Sequence, residues 1–138
     1  MAAECLFCQI ASGSIAASVV LDEADVVGFL DIRPVFPGHV LVVPRAHHET
    51  LTDLPRPLIE PLFDAAQRVA GAVTAGLGAQ GTFVAMNNVV SQSVPHLHVH
   101  VVPRTKGDGL RGFFWPRTTY ESDAERDGFA ARIVAALG

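Results

Sequence analysis

Residues 96–102 read His-Leu-His-Val-His-Val-Val, a strict alternation of imidazole and aliphatic side chains. Side chains on an extended strand point to opposite faces in turn, so this run demands a strand with His96, His98 and His100 on one face and Leu97, Val99 and Val101 on the other. One face is then available for packing and the other for chemistry. At a rise of about 3.3 Å per residue, same-face neighbours stand roughly 6.6 Å apart and the outer pair roughly 13 Å apart. A zinc ion holds imidazole nitrogen at about 2 Å, so one tetrahedral ion does not take all three rings. The residues suit three separate tasks instead: one ring on a metal, the central ring as a nucleophile and the third against an anion. The bland alternative is a histidine-rich strand edge.

The rest of the chain predicts an α+β fold. Val19–Leu21 and Val26–Asp31 form a candidate hairpin around the polar turn 22–25, His39–Val43 is a third strand stopped by Pro44, and Phe83–Met86 and His96–Val102 are a fourth and fifth. Between the third and fourth, Leu58, Leu62, Phe63, Ala66, Val69, Ala70 and Val73 recur at helical spacing. Asp53 and Pro55 suit the start of that helix and Gly76 and Gly78 its end, with Pro61 acceptable only in the first turn. Ser122 and Glu125 form a capping-box pattern ahead of a second helix carrying Phe129, Ile133, Val134 and Leu137. The expected architecture is a mainly antiparallel sheet of about five strands with two helices.

A chain of 138 residues with 49% hydrophobic and 17% charged residues is globular in composition and long enough for one real core. Its net charge of −4 gives no basic footprint for nucleic acid. The apolar runs are too short to span a bilayer, and no basic segment precedes an apolar one at the N-terminus, so a cytoplasmic address is expected. The two cysteines, Cys5 and Cys8, have the spacing of zinc ligands or of a redox pair. Only four residues precede Cys5, too few for the strand a thioredoxin-like site follows, which favours zinc. Two cysteines need two further ligands from His39, His47, His48 and the triad, unless both thiols simply pack as small apolar groups. The polar run from Asn87 to Pro95 places amides and hydroxyls at the mouth of the histidine face, where they suit phosphate oxygens or merely connect strands.

The run Gln92-Ser93-Val94-Pro95-His96-Leu97-His98-Val99-His100-Val101-Val102 resembles the signature of the histidine triad (HIT) family of nucleotide hydrolases and transferases. Leu6–Ile10, Phe29–Ile32 and Pro37–Pro44 follow the family's order and spacing, so the resemblance covers roughly residues 4–104 of a single domain over 1–138, with a C-terminal tail and helix over 105–138. It implies that His98 attacks the α-phosphorus of a purine nucleotide conjugate, that His100 supports the phosphoryl oxygens, and that Gln92 and Ser93 lie near the leaving group. It assigns Asp31 to the ribose hydroxyls, Leu6, Phe7, Phe29 and Ile32 to the base pocket, and Asn87 or Asn88 to the phosphate loop. Leu41 matches a base-pocket position too but is expected in the core.

In the zinc-containing, Hint-like bacterial branch, cysteines spaced like these join a histidine after the third strand and the first triad histidine. The resemblance therefore implies a structural zinc on Cys5, Cys8, His47 and His96, with His48 the alternative to His47 and His39 a strand-end residue. A homodimer is expected. The implied activity is a nucleoside phosphoramidase releasing AMP. A dinucleoside polyphosphate hydrolase of the Fhit type is the alternative, kept open by Pro103-Arg104, and a low-turnover nucleotide-binding protein is the alternative of another class. An oxygen-using metalloenzyme is the weakest reading. Ser91 stands where family members usually carry glycine, in a loop about two residues shorter. The tail cluster Phe113-Phe114-Trp115 either selects substrate or packs a subunit interface.

Overall fold

The computed structural model describes residues 4–110 and 117–138; the cluster Phe113-Phe114-Trp115 lies outside them. Residues 1–108 form one compact unit and residues 109–138 a second. The first contains a short helix α1 (Leu6–Ala11), strands β1 (Val19–Asp22), β2 (Val26–Leu30) and β3 (Val40–Pro44), the long helix α2 (Arg56–Leu77), and strands β4 (Gly81–Ala85) and β5 (Val99–Arg104). The strands make one sheet in the order β1-β2-β3-β5-β4, and every neighbouring pair is antiparallel.

Two apolar layers explain why β3 is buried throughout and reads as a continuous Val40–Val43 run rather than an alternation. On one face, Val26, Val40, Val42, Leu97, Val99 and Val101 pack with Leu62, Ala65, Ala66, Val69 and Val73 of α2. On the other, Val27, Phe29, Leu41 and Val43 pack with Cys5 and Phe7. Phe29 pairs with Leu41, and Leu41 with His100. Directly opposed residues share a face, so this register puts His100 on the α1 side, away from α2.

α2 differs from its expected outline at two points. Phe63, expected in the buried stripe, is 43% exposed, and Ala65 occupies the core in its place. Pro61 lies in the second turn rather than the first, counted from Arg56, so the carbonyl of Pro57 has no i+4 amide to receive. The helix stops at Gly78, whose φ of 71° is left-handed and whose N–H bonds Thr74 O at 3.1 Å. The polar start at Asp53 belongs to a separate 3-10 turn, Leu51–Asp53, in which the Asp53 carboxylate accepts from Thr50 N at 3.0 Å and Thr50 Oγ1 at 2.7 Å.

β5 begins three residues later than expected, at Val99. Pro44, at the end of β3, has no N–H to extend the ladder, and its carbonyl is taken by the His96 ring. Leu97 N–H bonds His48 O at 2.7 Å instead. The helix α1 was not expected from sequence.

In the second unit, α3 (Asp123–Ala136) begins as its sequence predicts: Ser122 Oγ accepts from Glu125 N at 3.0 Å. The Glu125 carboxylate accepts from Glu121 N rather than from the cap residue, so the box is half formed. No helix among the described residues is long and apolar enough to cross a membrane.

Candidate active site and metal-ligand cluster

The three alternating histidines are oriented by three different acceptors or donors. His96 is fully buried, and its Nε2–H donates to Pro44 O at 2.7 Å, because a carbonyl only accepts. Its Nδ1 lone pair therefore faces Cys5 Sγ at 3.4 Å and Cys8 Sγ at 3.5 Å. Burial, with smaller contributions from His47 and His98, pushes the His96 pKa down to about 4, which keeps that lone pair available. Next along the chain, His98 donates from Nδ1 to His96 O at 2.7 Å, so Nε2 is the ring nitrogen not engaged by that carbonyl. His100 meets His98 edge-on, with ring centroids 4.9 Å apart and planes inclined at 67°.

Cys8 Sγ also lies 3.4 Å from His47 Nδ1, and one ligand atom from each of Cys5, Cys8, His47 and His96 falls within 4.8 Å of the others. Bonds of about 2.3 Å to sulfur and about 2.05 Å to nitrogen at a tetrahedral centre separate S and N by roughly 3.5 Å. The three S···N distances have that dimension. His48 is not in this group; its backbone holds Leu97. α1 brings the cysteines together: Cys5 caps it, with Sγ accepting from Cys8 N at 3.5 Å. Burial, then the neighbouring Cys5, pushes the Cys8 thiol up to about 11, a shift that a bound cation reverses by holding the thiolate.

Beside this cluster runs a cleft of about 540 Å³, lined by Leu6, Phe7, Phe29, Asp31, Ile32, Ser93, His98 and His100 among others. Its wall is aromatic: Phe7 meets Phe29 edge-on at 5.3 Å. Ile32 is 90% exposed at the rim. Asp31 is held by Arg33 N–H, which donates to Oδ1 at 2.9 Å. Leu41 packs in the core, as expected, and also lines the cleft.

Three expected loop residues are not in that lining. Gln92 donates to Glu49 O at 2.6 Å and accepts from Val89 N at 2.9 Å, and Asn88 Oδ1 accepts from Leu51 N at 2.7 Å. Both side chains tie the loop to the segment that follows His47 and His48, and Asn87 lies outside the cleft. Within the loop, Val89 and Ser91 hold left-handed backbones, with φ of 68° and 61°. That conformation is costly for a β-branched residue.

Sequence reasoning missed His39. It is 3% exposed, and its Nε2 lies 2.9 Å from His100 Nδ1. The available signal was a histidine opening a wholly apolar strand; its partner becomes visible only through the β3–β5 register.

Two neighbouring imidazoles lining an aromatic cleft fit a histidine-based hydrolase. The chain belongs to the histidine triad family: the HIT domain model matches residues 12–107, and the protein is accordingly a HIT-family nucleotide hydrolase. A HIT-like protein of Methanocaldococcus jannaschii is 38% identical over 107 residues, 76% of this chain and 82% of that relative. Schizosaccharomyces pombe has an adenosine 5′-monophosphoramidase 30% identical over 114 residues, 81% of this chain and 83% of the relative. A crystal structure of a HIT family member from Bacillus subtilis superposes with a TM-score of 0.88 at 30% identity, covering 98% of both chains. A zinc-bound histidine triad protein from Mycobacterium smegmatis superposes with a TM-score of 0.76 at 34% identity, covering 99% of this chain and 100% of the other.

Proposed function

We propose that the protein hydrolyses the bond between the α-phosphate and an amine in adenosine phosphoramidates, releasing AMP through a nucleotidyl-histidine. The observation that carries this reading is the His98 Nδ1–H bond to His96 O at 2.7 Å, which fixes the ring through Nδ1 and reserves Nε2 for the substrate in the cleft that His98 lines.

The base lies against the wall that the packed Phe7 and Phe29 rings form, and Asp31 accepts from the ribose hydroxyls at the exposed end. His98 Nε2 forms a bond to the α-phosphorus while the phosphorus–nitrogen bond breaks, and the leaving amine takes a proton relayed through Ser93. Water then attacks the same phosphorus, the bond to His98 breaks, and AMP departs with the imidazole restored. His100 donates a hydrogen bond to the phosphoryl oxygens, whose charge is redistributed in each transition state. Gln92 and Asn88 act from the second rank here, holding the loop that carries Ser93.

The Cys5–Cys8–His47–His96 set fits zinc, which when bound supplies a structural cross-link between α1, the chain after β3 and the triad. Four protein ligands leave no open position for a reacting water. The Pro44 carbonyl fixes His96 for ligation in the manner typical of metal-bound histidines. The dinucleoside polyphosphate reading loses support because Arg104 is engaged bidentately by Asp108, at 2.6 and 3.1 Å. We further propose a cytoplasmic homodimer.

Intact-protein mass spectrometry after brief mixing with an adenosine phosphoramidate, and separately with diadenosine polyphosphate, tests the proposal. The expected result is a His98-dependent adenylyl adduct and faster AMP release from the phosphoramidate. Nucleotide binding without turnover makes the protein a nucleotide sensor.

A further inference from the structure

Tautomer choice on His100 decides whether the ring offers a phosphoryl oxygen a proton or a repelling lone pair. We propose that His39 is a positioning residue that fixes the proton of neutral His100 on Nε2, through a hydrogen-bond relay beginning at the backbone N–H of Val35. The inference rests on the role of His100 in the proposed function.

Val35 N–H lies 3.1 Å from His39 Nδ1. An amide nitrogen only donates, so Nδ1 is an acceptor and the proton of His39 sits on Nε2. That Nε2–H faces His100 Nδ1 at 2.9 Å, so His100 Nδ1 accepts and its own proton sits on Nε2, the donor it offers in the cleft it lines. The relay requires neutral rings, and the surroundings keep them so. Burial drives His39 below its ordinary pKa against the opposing pull of Asp31, and burial together with His98 and His39 takes His100 down to about 4.

His39 is also firmly placed. Its N–H bonds Phe36 O at 3.1 Å and its carbonyl accepts from Asp31 N at 2.9 Å, so the turn between β2 and β3 sets the ring's position. Asp31, His39 and His100 lie close enough to suggest a cation site, with ligand atoms within 4.8 Å. The relay argues against one: with Nδ1 accepting and Nε2–H donating, His39 has no lone pair left for an ion.

The test is long-range proton–nitrogen correlation NMR on zinc-loaded protein with nitrogen-15 histidine, at pH 7 and without substrate, His100 being assigned from the loss of its signals in His100→Gln. The expected spectrum shows His39 and His100 each as the Nε2–H tautomer. His39→Gln, whose amide both accepts and donates, preserves that state on His100, whereas His39→Leu leaves a mixture. A whole lost donor costs roughly 100-fold in kcat, so the partial loss in His39→Leu predicts a fall on the order of three- to tenfold with KM little changed and recovery in His39→Gln. An Nδ1–H tautomer on His100 in the wild type, or no change in His39→Leu, overturns the inference. Since the wild-type spectrum needs neither a variant nor turnover, an intact relay in a protein that releases no AMP refutes only the proposed function.

Discussion

The Phe7 ring meets His98 edge-on, with centroids 5.0 Å apart, and it also touches His96 at 6.0 Å. One side chain of α1 therefore supports both His96, beside the cysteines, and His98, in the cleft. Phe7→Ala removes a ring that is only 5% exposed, and a buried phenylalanine truncated to alanine costs about 3–5 kcal/mol. We expect a loss of this size in urea unfolding together with a raised KM, since the same ring walls the cleft. An unchanged KM in the folded fraction removes Phe7 from the binding surface.

His98→Asn retains a side-chain amide but no nucleophilic nitrogen. Removing a residue that forms the covalent intermediate predicts a fall in kcat of more than about 1,000-fold, while adenosine nucleotide binding by calorimetry changes by only a few fold. Substantial residual turnover would exclude a His98-bound intermediate.

Cys8→Ala takes one ligand from the tetrahedral set and leaves the fully buried His96 facing a lone thiol. Elemental analysis is expected to show about one zinc per chain in the wild type and loss of that stoichiometry in the variant. A structural zinc contributes its binding energy to folding, so melting temperature drops in the variant and on exhaustive chelation of the wild type alike. Equal melting curves with and without metal would place zinc elsewhere.

Acid stability follows from His100 and His39, whose folded pKa values lie below the ordinary 6.5 because burial disfavours their charged forms. Below pH 6.5 the unfolded chain takes up protons that these folded rings refuse. Their contribution is thus complete above about pH 6.5 and is lost as pH falls toward the His100 value of about 4. Denaturant unfolding of zinc-loaded protein at a series of pH values between 7 and 4 should show this decline, and His100→Gln should flatten it.

Val89 adopts a φ of 68°, which a β-branched residue accepts at a cost of about 1–3 kcal/mol. Glycine there removes the strain but adds about 0.5–1 kcal/mol of backbone entropy cost. Val89→Gly is therefore expected to stabilise the protein by about 1 kcal/mol, read as a raised urea midpoint. A lowered midpoint means that the exposed Val89 side chain contributes more than the backbone strain costs.

Much of the sheet was legible because its inner strands repeat valine, and because alternation at 96–102 allows one backbone geometry. The set Cys5, Cys8, His47 and His96 was named from the family resemblance, whereas residue spacing alone left all six histidines as candidates. α1 escaped notice because six residues are too few for a helical period to appear, and its cysteines drew attention as ligands. His39 does sit at a strand end, as expected, but its contact with His100 stayed hidden because that partner lies 61 residues away and meets it only after β3 and β5 align. Gln92 and Asn88 carry polar groups equally suited to a ligand or to a neighbouring carbonyl or amide, and their chemistry does not tell which one they face.

Pro44 makes one short stretch of chain serve two neighbours. The ladder between β3 and β5 runs from Val40 opposite Val101 to Val42 opposite Val99 and goes no further toward the cysteines. Beyond it, proline exports a single carbonyl that holds His96 on the cysteine side, while His98 and His100 stay with the cleft. A division of labour among three chemically identical side chains thus turns on one backbone carbonyl.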